Sequence, residues 1–286
     1  MKIFLVVTIA SAVAVSLILL LMRLRYDRLV KEIWRSLKTP STKLIFTEDM
    51  TADLDEPVRR YFLHAIAPGT PLASYVELEM NGSFRQQPDA DWLPMQASQI
   101  ISAEGFIWQA RVGKGLTRFS GADYYARSRG RVKFFLWGLI PLVDAQNSNI
   151  NRSSVGRLCI EYIWLPSALL PQNGVAWRAI SDNTIQANFE IDNEPITLTL
   201  HIDDYGKLLG ISLPRWSDNT ADKNWQYIPF GAEIQAEATF GGYTIPAQMN
   251  VGYWLGTDRY WTFFQATIAR VGFSRSLINL ESEGDG

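Results

Sequence analysis

The sequence predicts an α+β fold, mostly antiparallel: a large, strongly curved sheet with helices across one face, preceded by one N-terminal transmembrane helix. Three observations carry this. Twelve segments alternate polar and apolar residues between turn signals, one stretch in the middle follows a helical period instead, and residues 3–22 hold no charge at all. With 286 residues, 47% hydrophobic and 12% aromatic, the chain has enough apolar material for a full core, which excludes a disordered protein or a disulfide-stapled miniprotein.

The first element, within residues 1–22, is IFLVVTIASAVAVSLILLLM. At the helical rise its twenty residues span about 30 Å, the thickness of a bilayer's hydrocarbon core. A cleaved signal peptide is the rival reading, but the small-residue site Ala10-Ser11-Ala12 precedes more apolar sequence and no suitable site follows Met22, so an uncleaved anchor is expected. Residues 23–38 form a basic amphipathic helix. Tyr26, Leu29, Val30, Ile33, Trp34 and Leu37 recur at three- and four-residue steps, opposite Arg28, Lys31, Arg35 and Lys38. Periodicity leaves two readings, a helix lying in the membrane interface so that residues 3–38 all meet lipid, or a helix packed on its own domain. Six Lys/Arg follow the apolar run against Lys2 before it, so the positive-inside rule puts the large domain in the cytoplasm, with the outer face as the alternative.

Residues 39–53 read as a polar connector and 54–273 as a single curved-sheet domain. Asp55-Glu56-Pro57 opens a helix through about residue 66, with proline and acidic residues in the first turn. Strands follow at 74–85, 92–101, 105–112, 117–127 and 130–137, then at 175–181, 184–191, 195–202, 207–213, 230–241, 244–254 and 260–272. Between the two sets, residues 151–165 place Val155, Leu158, Cys159, Tyr162 and Ile163 at helical spacing, and Pro166 ends the run. Residues 274–286 read as a flexible acidic tail.

Charge and composition narrow the function classes. Residues 1–38 carry 7 Lys/Arg against 2 Asp/Glu, leaving an acidic body with 20 against 27, which does not suit a nucleic-acid binder. The single cysteine, Cys159, excludes an internal disulfide. Two well-separated histidines, His64 and His201, offer little for a metal, so neither metal nor cofactor is expected. The oligomeric state is not legible.

The segments FFLWGLIPLVDAQ (134–146) and GRLCIEYIWLPSALLP (156–171), with DEPVRRYFLHAI (55–66), AEGFIWQARV (103–112) and the closing strands 241–273, resemble a family of bacterial proteins known only as a domain of unknown function. The G-L-x-P-L-V-D-A and E-x-x-W-x-P-x-A-L-L-P elements are its most specific parts. The order of elements also resembles the half-barrel of lipoprotein carriers, which implies a sheet wrapped around helices with an apolar cavity between them. Neither resemblance implies a reaction.

The candidate site residues come from the residues themselves. Arg157, Glu161 and Trp164 fall near one face of the 151–165 helix, so Glu161 is either an acid/base with a pKa raised by burial or one half of a helix ion pair. On the strand at 105–112, alternation sets Trp108 on one face and Arg111 on the other: with the Trp108 face in the core Arg111 meets solvent or a ligand carboxylate, and a buried Arg111 would need Asp144 or Glu161 as partner. Asp144 stands at an expected strand end, where a turn cap is the simpler role. Ten tryptophans suit either an aromatic core or the wall of an apolar pocket. The leading expectation is a membrane-anchored, non-catalytic binding module for a hydrophobic or lipid-like ligand, with Trp108, Arg111, Asp144, Arg157, Glu161 and Trp164 as its candidate residues. The alternatives are an acid/base enzyme, a hydrolase or isomerase using Glu161, and a scaffold protein binding through a sheet edge.

Overall fold

The computed structural model describes residues 1–40 and 43–274. Except for Ser274, the expected acidic tail lies outside the described residues.

The first helix, α1 (Lys2–Ser36), is continuous through the apolar run and the basic amphipathic segment, about 52 Å in all. It is long and apolar enough to cross a membrane, and none of its apolar window is buried. A short helix, α2 (Glu56–Ala65), carries Pro57 in its first turn as expected. Five strands follow: β1 (Tyr75–Phe84), β2 (Leu93–Ser102), β3 (Gly105–Val112), β4 (Phe119–Ala126) and β5 (Arg129–Leu136). Next come β6 (Ile140–Ala145) and α3 (Ser148–Glu161). The second set is β7 (Ala176–Ser181), β8 (Thr184–Ile191), β9 (Glu194–Ile202), β10 (Leu208–Ser217), β11 (Gln226–Phe240), β12 (Tyr243–Tyr253) and β13 (Trp261–Phe273).

All thirteen strands join one antiparallel sheet in the order β6-β5-β4-β3-β2-β1-β13-β12-β11-β10-β9-β8-β7. The helix α3 packs on both β5 and β10. Those strands stand eight places apart, about 38 Å along a flat sheet, whereas a helix is only about 10–12 Å across. The sheet therefore bends around α3, which is the curvature the sequence predicts. Contact is close: a Cβ on Gly130 of β5 would lie 2.5 Å from Ser154 Oγ and 2.9 Å from the Ile150 carbonyl oxygen, so glycine there lets the helix settle on the strand.

The helix begins three residues before its expected start. Asn147 caps it, its side chain accepting from the Ile150 N–H at 2.9 Å. After Glu161 it tightens into 3-10 turns, Tyr162–Trp164 and, past Leu165, Pro166–Leu169.

Two expectations are corrected here. The segment at residues 140–145 is an additional strand pairing with β5, so Asp144 belongs to a ladder and does not cap a turn. Pro141 is tolerated because β6 is an edge strand, where a missing N–H costs no ladder bond. The amphipathic half of α1 does not lie in a membrane interface: Tyr26, Val30, Ile33 and Leu37 are buried against Ile100, Ile107, Ala122, Tyr124 and Phe135. These sheet residues alternate with Ile101, Phe106 and Tyr125, which face the main core with α2 and α3. So α1 covers the outer face of the sheet, and its buried stripe does not meet lipid. Leu29 stays exposed, outside that stripe. The connector is also anchored, since Phe46 is fully buried in the main core.

Candidate functional site

A cavity of about 610 Å³ lies between α3 and the inner face of the sheet. Its walls are largely apolar: Phe84, Phe119, Phe134, Phe263 and Phe264 contribute rings, with Met249 and Val251 beside them. Phe134 meets Trp108 and Phe119, with ring centroids 6.1 and 5.7 Å apart. Such edge and tilted contacts give a stiff aromatic wall. The volume falls within the roughly 300–1,000 Å³ range of small-molecule sites.

The floor is polar, and strand alternation explains how. Gln99 shares its face of β2 with Met95, Ala97 and Ile101; Asp123 shares its face of β4 with Phe119 and Tyr125; Arg215 shares its face of β10 with Ile211 and Leu213. Three polar side chains are thereby carried inward on otherwise apolar faces. Gln99 and Asp123 meet Glu161 and Arg157 from successive turns of α3, and Arg215 reaches the Ser153 carbonyl of the same helix.

Arg157 bridges two carboxylates. Its Nε donates to Glu161 Oε1 at 2.8 Å and an Nη to Asp123 Oδ2 at 2.5 Å. Gln99 Nε2 donates to Glu161 Oε2 at 2.5 Å. Burial pulls the Arg157 guanidinium down, but Glu161 and Asp123 outweigh it and hold it above its ordinary value. Burial also raises the Glu161 carboxyl, against the lowering pull of Arg157. One guanidinium shared by two carboxylates cannot fully offset the desolvation of both. Asp123 Oδ1 and Trp108 Nε1, from residues directly paired across β3 and β4, are buried without a hydrogen-bond partner among the described residues.

Of the residues singled out from sequence, the structure brings Trp108, Arg157, Glu161 and Trp164 to this cavity and sends two elsewhere. Arg111 is exposed on the outer face, near Arg23 and Ser120, because the Trp108 face of β3 is the core face. Asp144 pairs with Arg131 at 2.8 Å and Lys133 at 2.6 Å. Lys133 in turn lies over the Tyr26 ring of α1 at 5.5 Å, so this cluster also belongs to the outer side. Neither residue partners the other or Glu161. Among the tryptophans, Trp108 and Trp164 line the cavity; phenylalanines supply most of its rings. Gln99, Asp123 and Arg215 were missed by sequence reasoning, although each stands out as a polar residue on an apolar strand face. Cys159 is fully buried beside the core, and burial raises its thiol well above the ordinary value.

The cavity and the apolar part of α1 share one end of the sheet. Arg23 Nη1 donates to the Ser120 carbonyl at the start of β4 and Tyr26 donates to Ala122, whereas Trp34 and Lys38 reach Glu77 near the start of β1. Those are opposite strand ends, so residues before Arg23 project beyond the end formed by Phe84, Val112, Phe119 and Leu136. The most exposed lining residues, Gln86, Leu142 and Val143, lie toward that end and mark the mouth. Beside it, Leu116, Trp137 and Ile140 are exposed apolar residues.

A putative outer membrane lipoprotein-sorting protein domain from Vibrio parahaemolyticus resembles the chain at 8% identity, covering 71% of this chain and 87% of its own, with a TM-score of 0.40. A DUF1329 family protein from Desulfovibrio piger does so at 10% identity, covering 80% and 92%, with a TM-score of 0.29. Likenesses this distant carry no argument about a ligand. No match was found among curated proteins. The family resemblance read from GLIPLVDA and the E-x-x-W-x-P-x-A-L-L-P run is borne out: the chain belongs to the family described as a family of unknown function (DUF6920), whose model matches residues 52–273.

Proposed function

We propose that this protein is a membrane-anchored binding module that takes a lipid-like molecule from the bilayer into its cavity. The carrying observation is that the apolar cavity and the apolar helix stand at the same end of the sheet. With residues 3–22 in a membrane, the mouth and its exposed Leu116, Trp137, Ile140 and Leu142 face the bilayer surface, where apolar side chains gain by leaving water. The basic residues flanking the span support a cytoplasmic position for the domain. The same geometry weakens an acid/base role for Glu161, because both its oxygens already accept from Arg157 and Gln99.

The test is native mass spectrometry of the full chain released from a mild detergent. A co-purified amphiphile is expected, and it should be lost from Ala232→Trp, which puts a large ring into the cavity lining. A folded wild-type protein that carries nothing and does not enhance the fluorescence of the neutral apolar probe N-phenyl-1-naphthylamine would overturn the proposal.

A further inference from the structure

The two arginines on the cavity floor differ in one respect. Arg157 is matched by two carboxylates. Arg215 donates from Nε to the Ser153 carbonyl at 3.1 Å and lies over the Phe230 ring at 4.5 Å. Among the described residues, its terminal nitrogens meet no acceptor and no carboxylate oxygen comes within 4.0 Å of it. It lines the cavity, so those nitrogens are open to whatever occupies the space.

A guanidinium stays protonated near neutral pH, and guanidinium N–H groups among apolar walls without acceptors are costly. Burial indeed pulls Arg215 below its ordinary value. The placement is also built into the neighbouring helix. Gly156 sits inside α3, where glycine costs roughly 1 kcal/mol against alanine. A Cβ there would lie 3.2 Å from Arg215 Cγ, so the missing side chain is what makes room for the arginine stem. The other charged groups facing this floor, Asp123, Glu161 and Arg157, pair with one another, and of their atoms Asp123 Oδ1 is buried without a hydrogen-bond partner among the described residues.

We infer that the cavity takes a single-chain anionic amphiphile, a carboxylate or phosphate head on an aliphatic tail, with the head seated on Arg215 and the tail running outward along the phenylalanine wall. The inference rests on the reading of this cavity as a lipid site. The head supplies the acceptors that the terminal nitrogens of Arg215 lack, and its oxygens accept from two guanidinium nitrogens at once. The tail leaves through the mouth toward the membrane. An uncharged lipid would fill the same walls and leave Arg215 as it is.

The experiment is displacement of N-phenyl-1-naphthylamine from the full chain in a maltoside detergent. One arm compares palmitate with hexadecanol, the other lysophosphatidate with monopalmitoylglycerol. The anionic member of at least one pair should compete about tenfold more strongly or better, the scale of one charge-assisted hydrogen-bonded pair, and the arm that discriminates identifies the head. Arg215→Gln should bring that ratio to within about twofold while leaving the neutral competitor's affinity unchanged. Should that variant fail to fold, Gly156→Ala, which crowds the arginine stem, should lower the ratio at unchanged probe binding. Equal competition within both pairs, or discrimination that survives the substitution made, overturns the inference while leaving the lipid site standing. A folded protein that binds no probe at all overturns both.

Discussion

Replacing Arg157 with leucine tests the electrostatics of the cavity floor directly. The change removes the only cation within salt-bridge distance of either Asp123 or Glu161 among the described residues and leaves both carboxylates without a paired cation. Breaking a buried pair from one side costs about 3–5 kcal/mol, because the remaining charge is uncompensated. For a domain of this size each kcal/mol moves the melting temperature by roughly 2–4 °C, so Arg157→Leu should melt about 6–20 °C lower near neutral pH. The sign of the pH dependence follows from Glu161, whose folded pKa is already raised by burial and rises further without Arg157. A carboxyl with a raised folded pKa contributes stability that is present below its unfolded value, about 4.3, and is lost as pH rises through the folded one. The deficit of the variant is therefore largest at neutral pH and shrinks toward pH 4, and adding Glu161→Gln to it recovers part of the loss at pH 7. Circular-dichroism melts of the full chain in detergent at one scan rate and three pH values read this out. Glu48→Gln is the internal control, since its exposed pair with Arg59 should cost no more than about 1 kcal/mol. A neutral-pH deficit no larger than that of the control, or one that stays constant into acid, would refute the account of the floor.

Two further outcomes follow from how α1 sits. Ile33→Ala should cost about 2–5 kcal/mol in the same melts, because Ile33 is buried against the outer sheet face; an unchanged melting temperature would return the segment to the membrane interface. A reporter fused after Gly286 should be active in the cytoplasm, and neutralising Arg25, Arg28 and Lys31 should weaken that preference; activity confined to the outer side would reverse the proposed sidedness.

Most of the fold was legible because the sheet announces itself locally. Alternation such as Tyr75/Glu77/Glu79 against Val76/Leu78/Met80 carries the strand and its face together, and turn signals such as Asp192-Asn193 mark where it ends; both residues do adopt positive φ there. The β6 strand escaped because it is short, sits at the sheet edge and contains Pro141. The role of residues 23–38 escaped for a different reason. A helical period shows that one stripe is apolar, but a sheet face and an acyl layer are equally good at covering it. Only the outward parity of Ile100, Ile107, Ala122 and Tyr124 on neighbouring strands shows that the sheet has an apolar outer face in need of cover, and that is a property of several segments at once.

The site divides along the same line. Arg157, Glu161 and Trp164 were found together because they lie within eight residues on α3 and the 3-10 turn that continues it, where spacing sets the geometry. Arg111 and Asp144 were drawn in by charge, but parity on β3, one of the two outcomes left open for Arg111, and the pairing of β6 with β5 turn them to the outer face. The informative signal was the reverse one. A strand whose inward positions run Ile211, Leu213, Arg215 places a cation where the pattern calls for an apolar side chain, and Pro214 conceals it by suggesting that the strand has already stopped. The same reading picks out Gln99 after Ala97 and Asp123 before Tyr125. Each such break burdens the core with a desolvated polar group, and such a group persists only where something compensates it. For Gln99 and Asp123 the compensation is visible in Glu161 and Arg157; for Arg215 it is incomplete within the chain, which is why the ligand is sought there.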